Sequence, residues 1–171
     1  VFNFSVNSCL PSRIKHMSSW AATIDTHKKK KNILFLISAG NISISDARGF
    51  GISHFIENGK NYPDYLNELY CRIANPAQSS FAITVGSINH ISIDNDEFQS
   101  LGNHNDISPF SRIGTGIWGM IKPDVVEYGG GLSISKTGNI VSIKNELSPE
   151  LVRSTLHGGS AIGNDIVGTS F

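Results

Sequence analysis

Gly168-Thr169-Ser170 and Ser38-Ala39-Gly40-Asn41 are the two stretches of this chain whose side chains could do chemistry together. Gly-Thr-Ser is a tight turn that presents a hydroxyl. A serine hydroxyl is a weak nucleophile until a base takes its proton. Its attack on a carbonyl puts negative charge on the former carbonyl oxygen, which then needs a preorganised hydrogen-bond donor. Asn41 can supply one. It follows the apolar run Ile33-Leu34-Phe35-Leu36-Ile37, where a strand would end and a side-chain amide could face a cleft. Ser170 and Asn41 are therefore the candidate catalytic residues, and acyl transfer is the chemistry that suits them.

The elements that must position this pair can be read from periodicity. Val1 to Val6 is strand-like, and Asn7 to Lys15 reads as loop. Ser18 or Ser19 can N-cap a helix running through Lys28–Lys31. Trp20, Ile24 and His27 stand at i, i+4 and i+7 and are expected to share its buried face. The lysines suit a helix C-terminus, where cations complement the dipole. Ile33 to Ile37 has the length and bulk of a strand buried on both faces. Strand, helix, strand is a βαβ unit, which implies a parallel sheet. Ligands of such sheets sit beyond the carboxyl ends of the strands. Ser5-Val6-Asn7 and Ser38–Asn41 both occupy that position.

Further along, Ile42 to Lys60 reads as a long loop. Tyr62, Tyr65, Leu66, Leu69 and Tyr70 have helical spacing. Phe81 to Ile88 is another buried strand. Leu132–Ser135 and Ile140–Ile143 alternate around Lys136-Thr137-Gly138-Asn139 as a hairpin would. The stretch from Ser148 to Leu156 suits either a short helix or a strand.

Composition bounds the class. A length of 171 residues, 39% hydrophobic and 16% charged residues, fits one globular domain or a large part of one. The formal net charge is zero, so nothing electrostatic points to nucleic acid or an anionic membrane. No apolar run approaches the roughly 20 residues of a membrane span. Cys9 and Cys71 show no zinc-site spacing and are expected to be free thiols, a usage that leans toward a reducing, cytoplasmic compartment. Asp94, Asp96 and Glu97 are expected to form an exposed turn, and His16, His54, His90 and His104 to be surface loop residues.

Four segments now stand in an informative order: Val1-Phe2-Asn3-Phe4-Ser5-Val6; Leu36-Ile37-Ser38-Ala39-Gly40-Asn41; Asn75-Pro76-Ala77 with Ile83-Thr84-Val85-Gly86-Ser87; and Lys122-Pro123-Asp124-Val125-Val126 ahead of Gly168-Thr169-Ser170. Together they resemble the subtilisin-like serine proteases, the subtilases. Ser108-Pro109-Phe110-Ser111 adds to the likeness. Gly-Thr-Ser alone is a weak signal; the four in register are a strong one. The resemblance implies an α/β fold, a subtilisin-like, doubly wound and mostly parallel sheet, here expected to lack the N-terminal part and the helix after the nucleophile. Residues 1–171 would then be a partial catalytic domain, with 42–72 a family-variable insertion.

The resemblance also implies roles. Ser170 matches the nucleophile and Asn41 the oxyanion donor. Ser5, Val6 and Asn7 match the strand on which extended polypeptide substrate adds. Ser38, Ala39 and Gly40 match a wall of the pocket for the residue before the scissile bond. Asn7 stands where subtilases usually place glycine, so its side chain could intrude on the groove. No cofactor is implied; structural calcium is possible in the family, but no acidic cluster places it.

The family's triad runs Asp, His, Ser along the chain. Its aspartate and histidine are expected upstream of this sequence, so the chain alone is expected to be an inactive part of a serine endopeptidase. Asp25, His157 and Ser170 come in the right order, but Asp25 falls in a helix followed by lysines and His157 lies too close in sequence to Ser170. Asp25 is read as an exposed helix residue and His157 as a loop residue. The alternative function is a non-catalytic peptide-binding or regulatory module on the same fold. Sedolisins share the Gly-Thr-Ser turn but have aspartate where Asn41 stands. A nucleotide-binding domain would need a phosphate loop after the first strand, and Ser5 to Pro11 has none. Sheet edges left uncovered would favour self-association of the chain.

Overall fold

The apolar runs pair side by side in the computed structural model, which describes residues 1–138, 140–145, 149–154 and 164–170. The strands among them are β1 Phe2–Phe4, β2 Phe35–Ser38, β3 Ile83–Ile88, β4 Phe98–Ser100, β5 Gly114–Thr115, β6 Ile121–Lys122, β7 Val125–Tyr128, β8 Ser133–Ser135, β9 Ile143–Lys144, β10 Val152–Ser154 and β11 Asn164–Ile166. The α-helices are α1 Ser19–Lys31 and α2 Ile52–Glu57. The main sheet has the order β1-β2-β3-β7, and every pair in it is parallel. Parallel neighbours need a crossover, and α1 supplies the one between β1 and β2. The mixed α/β fold with a parallel sheet follows the expectation from sequence.

The register Phe2↔Phe35 and Phe4↔Ile37 puts those four side chains on one face. Helix α1 packs there. Ala21 and Ile24 are buried, and Trp20 meets Phe4 edge to face at 5.6 Å between ring centroids. Ser18 caps the helix by accepting the Ala21 N–H at 3.1 Å, and Asn32 closes it in the left-handed conformation. His27 is exposed, against expectation. It stands next to the last turn, which carries Lys28–Lys31, and the buried residues of the helix are Ala21 and Ile24. The Ile33–Ile37 run also departs from expectation: Phe35 and Leu36 are only half-buried. Neither face is fully covered among the described residues: Val126 on the α1 face and Val125 on the opposite one remain 47% and 49% exposed.

A second apolar cluster gathers Ile42, Ile52, Phe55, Tyr65, Leu66, Cys71, Leu101, Phe110 and Leu132. Residues 42–72 therefore pack into the core, although 42–60 reads as loop. The six residues of α2 are too few to show periodicity, and burial of Ile52 and Phe55 selects the helix. The helical spacing of 62–70 becomes two 3₁₀ turns, Asp64–Asn67 and Leu69–Cys71. Glu68 between them is extended, which breaks the expected helix and leaves Leu69 exposed. The expected hairpin forms, but its second strand is Ile143–Lys144 instead of Ile140–Ile143, with Ser133 opposite Lys144 and Ile134 opposite Ile143. Val152–Ser154 is strand, paired antiparallel with Asn164–Ile166.

Lys122-Pro123-Asp124 ties β7 to β3. The Lys122 ammonium is buried and donates to the Ala82 carbonyl and to Asp124 Oδ2, at 2.9 and 2.6 Å. The same Asp124 oxygen accepts the Thr84 N–H at 2.7 Å. Strand β7 then leads into Gly129, whose carbonyl accepts the Gly168 N–H at 2.9 Å. A side chain at Gly129 would meet the Gly168 carbonyl at 2.2 Å, so the close approach requires glycine. This contact sets the Gly-Thr-Ser turn at the carboxyl end of the sheet.

Glu150 is a buried carboxyl beside this region. It accepts hydrogen bonds from the Ser100 and Ser133 hydroxyls. Burial raises its pKa above the ordinary 4.5, against those two bonds. The folded state therefore holds the proton more tightly than the unfolded chain does. The stability this contributes is full below pH 4.5 and is lost as pH rises through the folded pKa. E150Q should accordingly be more stable than the parent at pH 8, by about 1 kcal/mol, and lose this pH dependence. Melting curves of both proteins between pH 4 and 8 check it; parallel profiles would contradict it.

Candidate active site

Thr169 joins the two chemical motifs. Its backbone N–H and its hydroxyl both donate to Asn41 Oδ1, at 3.1 and 2.9 Å. The hydroxyl in turn accepts the Gly40 N–H at 3.3 Å. With Oδ1 engaged twice, the Asn41 amide nitrogen is the end left facing the cleft. The turn at Gly40 has φ of +97°, and a Cβ there would sit 2.7 Å from Ala74 Cβ, so glycine is needed on both counts.

Gly168 shows where the donors converge. A Cβ built on it would lie 3.4 Å from Asn41 Nδ2 and 3.8 Å from the Ser170 backbone nitrogen. Both nitrogens therefore lie within 4 Å of the position that the missing side chain would take. Ser170 is exposed, and its Oγ lies 3.5 Å from the Ser5 carbonyl. Ser170, Asn41, Ser5 and Asn7 line one cleft of about 230 Å³, together with Ser8, Cys9, Ser43 and Thr169. A larger cavity of about 670 Å³ opens between Tyr62-Pro63 and β4 and holds none of these donors. The geometry of hydroxyl and amide, rather than size, marks the smaller one.

The other sequence-derived residues are placed differently. Ser38, Ala39 and Gly40 are buried behind the cleft and do not line it. Val6 is 62% exposed outside it. Asn7 turns its amide inward, donating to Ser38 Oγ at 2.7 Å. Sequence reading passed over Thr169, though it sits inside the motif, and over Cys9 and Ser43, which have no sequence signature at all.

Asp25 is half-buried rather than exposed. Its carboxylate accepts the Ser79 hydroxyl and the Ser80 and Phe81 N–H groups, at 2.5, 3.1 and 3.1 Å. It caps the turn entering β3, a structural task that sequence could not show because the partners lie more than 50 residues away. His157 lies outside the described residues. His16, His54, His90 and His104 are exposed as expected, but His54 belongs to α2 instead of a loop. No histidine or carboxylate is among the described residues lining the cleft.

Cys9 and Cys71 are free thiols. Burial pushes the Cys71 thiol up to about 12, which keeps it protonated and inert. Among the described residues, no three or more of His, Cys, Asp and Glu converge as metal ligands, and no calcium site is assigned. No helix among them is long and apolar enough to cross a membrane.

The model of the subtilase family, peptidase S8, matches residues 1–170. The chain belongs to the subtilase family. It is also 38% identical, over 123 residues, to the uncharacterized protein y4bN of Sinorhizobium fredii (strain NBRC 101917 / NGR234). That match takes in 68% of this chain and 27% of y4bN, so the chain spans only a fraction of this relative's length. Within the family fold, the parallel sheet and the Asn41–Thr169 contact place the subtilase motifs at one end of the strands, where α/β sheets bind their ligands.

Proposed function

We propose that this chain carries the nucleophile and oxyanion half of a serine endopeptidase site. The placement of Asn41 Nδ2 and the Ser170 nitrogen within 4 Å of the position a Gly168 side chain would take is the observation that supports it. Ser170 Oγ attacks the substrate carbonyl and forms an acyl-enzyme. The carbonyl oxygen becomes an anion between the two donors, where fixed N–H groups stabilise developing charge without reorganisation. A base must take the Ser170 proton. The described cleft has none, and the family order puts Asp and His before the serine, so the base belongs to a preceding part of a longer protein. Extended polypeptide would lie along Ser5-Val6-Asn7, continuing β1 at the edge of the sheet.

The test is a fluorophosphonate probe with the modified residue located by mass spectrometry. Full-length protein should label at Ser170, and the isolated 171-residue chain should not. Full-length protein that stays unlabelled while folded would sink the enzyme reading and favour a peptide-binding module. Stoichiometric labelling of the isolated chain would overturn the assignment of the base to another part of the protein.

A further inference from the structure

Arg112 is the largest fully buried side chain among the described residues, and the chemistry above leaves it unused. The hydrogen-bond partners of its guanidinium are all backbone carbonyls. Nε donates to the carbonyl of Asn41 at 3.1 Å, Nη2 to that of Cys9 at 2.9 Å, and Nη1 to those of Tyr70 and Arg72. Its own backbone N–H donates to the Gly40 carbonyl at 3.0 Å. Burial pulls its pKa below the ordinary value. A buried cation held only by neutral dipoles is an expensive feature to retain for stability alone.

The four carbonyls show what the charge is used for. Cys9 follows β1, Asn41 follows β2, and Tyr70 and Arg72 end the 42–72 excursion. Cys9 and Asn41 line the cleft that holds Ser170. A planar fork with donors in fixed directions can bind all of them at once, which an ammonium cannot. Tyr70 braces the fork from behind, with its ring centroid 5.2 Å from the guanidinium carbon. Phe50 stacks on Tyr70 at 4.6 Å, and the Tyr70 hydroxyl joins the Asp46–Arg48 pair.

We propose that Arg112 is a positioning residue for the oxyanion donor: it fixes the Asn41 backbone from below as Thr169 fixes its side chain from above. The 42–72 excursion then contributes to catalysis through Tyr70, whose part is to brace Arg112. This rests on the reading of Asn41 as the oxyanion donor.

The experiment is a double-mutant cycle on full-length protein with a peptide substrate, using R112K, N41A and the pair. R112K keeps the charge and loses the fork. A donor displaced by about 1 Å can lose up to about 100-fold in rate, and a smaller displacement loses less, about 10-fold. R112K should therefore lower kcat by about that much with KM within twofold. In the N41A background it should cost almost nothing further, because residues acting as a unit are non-additive. Y70L, which removes the brace and leaves the fork, should lower kcat in the same pattern to a smaller degree. Unchanged kcat in R112K, a change in KM alone, or losses that multiply with N41A would each overturn the assignment. Failure of both R112K and Y70L to fold, seen by circular dichroism, would make Arg112 purely structural and overturn it too. Wild-type protein with neither turnover nor Ser170 labelling overturns the endopeptidase reading, and this assignment with it. Wild-type activity with an insensitive Arg112 overturns this assignment alone.

Discussion

Alanine at Asn41 should lower kcat of the full-length protein by about 10²–10³ while KM barely moves. That magnitude is the one known for removing a single oxyanion donor in subtilisin itself. What the geometry does supply is the reason for the kcat-only effect. On the proposed reading Asn41 Nδ2 donates to the oxygen only once it is tetrahedral, and interactions made only in the transition state act on kcat. The substitution also strips the Thr169 N–H and hydroxyl of their shared acceptor. A modest stability loss of about 1 kcal/mol should accompany it, so activity is best compared well below the melting temperature. Kinetics of N41A beside the parent check the result. A loss under tenfold would mean that the anion is stabilised elsewhere.

G168A is expected to fold like the parent and still lose at least about 10²-fold in kcat. The nearest atoms to an added Cβ are at 3.4 and 3.8 Å, ordinary contact distances. Gly168 is also absent from the positive-φ positions, so alanine meets no backbone strain there. The methyl group would nevertheless fill the space between the two donors, where an oxyanion must come within about 3 Å of each. G40A makes the contrasting control. Its Cβ would strike Ala74 at 2.7 Å with φ at +97°, so it should lose stability first and activity as a consequence. Melting temperature and kcat measured on both variants separate the two mechanisms. A G168A protein that keeps its activity would show that the anion does not bind between these donors.

Much of the fold was legible because the relevant signals are local. The strand within Ile33–Ile37, the Ser18 cap and the lysines closing α1 each depend on neighbours within a few residues; the cap and the lysines appear where expected, and the strand forms at Phe35–Ser38 without the two-sided burial. The hairpin around Lys136–Asn139 is likewise short-range. Legibility failed where burial came from distant partners. Helix α2 exists because Ile52 and Phe55 find a core built with Leu101, Phe110 and Leu132. His27 lies on the helical stripe of Trp20 and Ile24, yet it is exposed.

The site divides in the same way. Sequence alone determined that Ser170 and Asn41 belong to one family pattern, since Gly-Thr-Ser, Ala-Gly-Asn and Lys-Pro-Asp-Val are contiguous strings set by turn and strand-end chemistry. Only the tertiary structure decided which end of the Asn41 amide faces the cleft, because the Thr169 bonds that orient it span 128 positions of sequence. It also turned Asp25 from a surface residue into the cap of a turn, and Arg112 from an undistinguished cation into the clamp beneath Asn41. A buried polar group is defined by the partners that satisfy it, and those partners come together only when the strands pair.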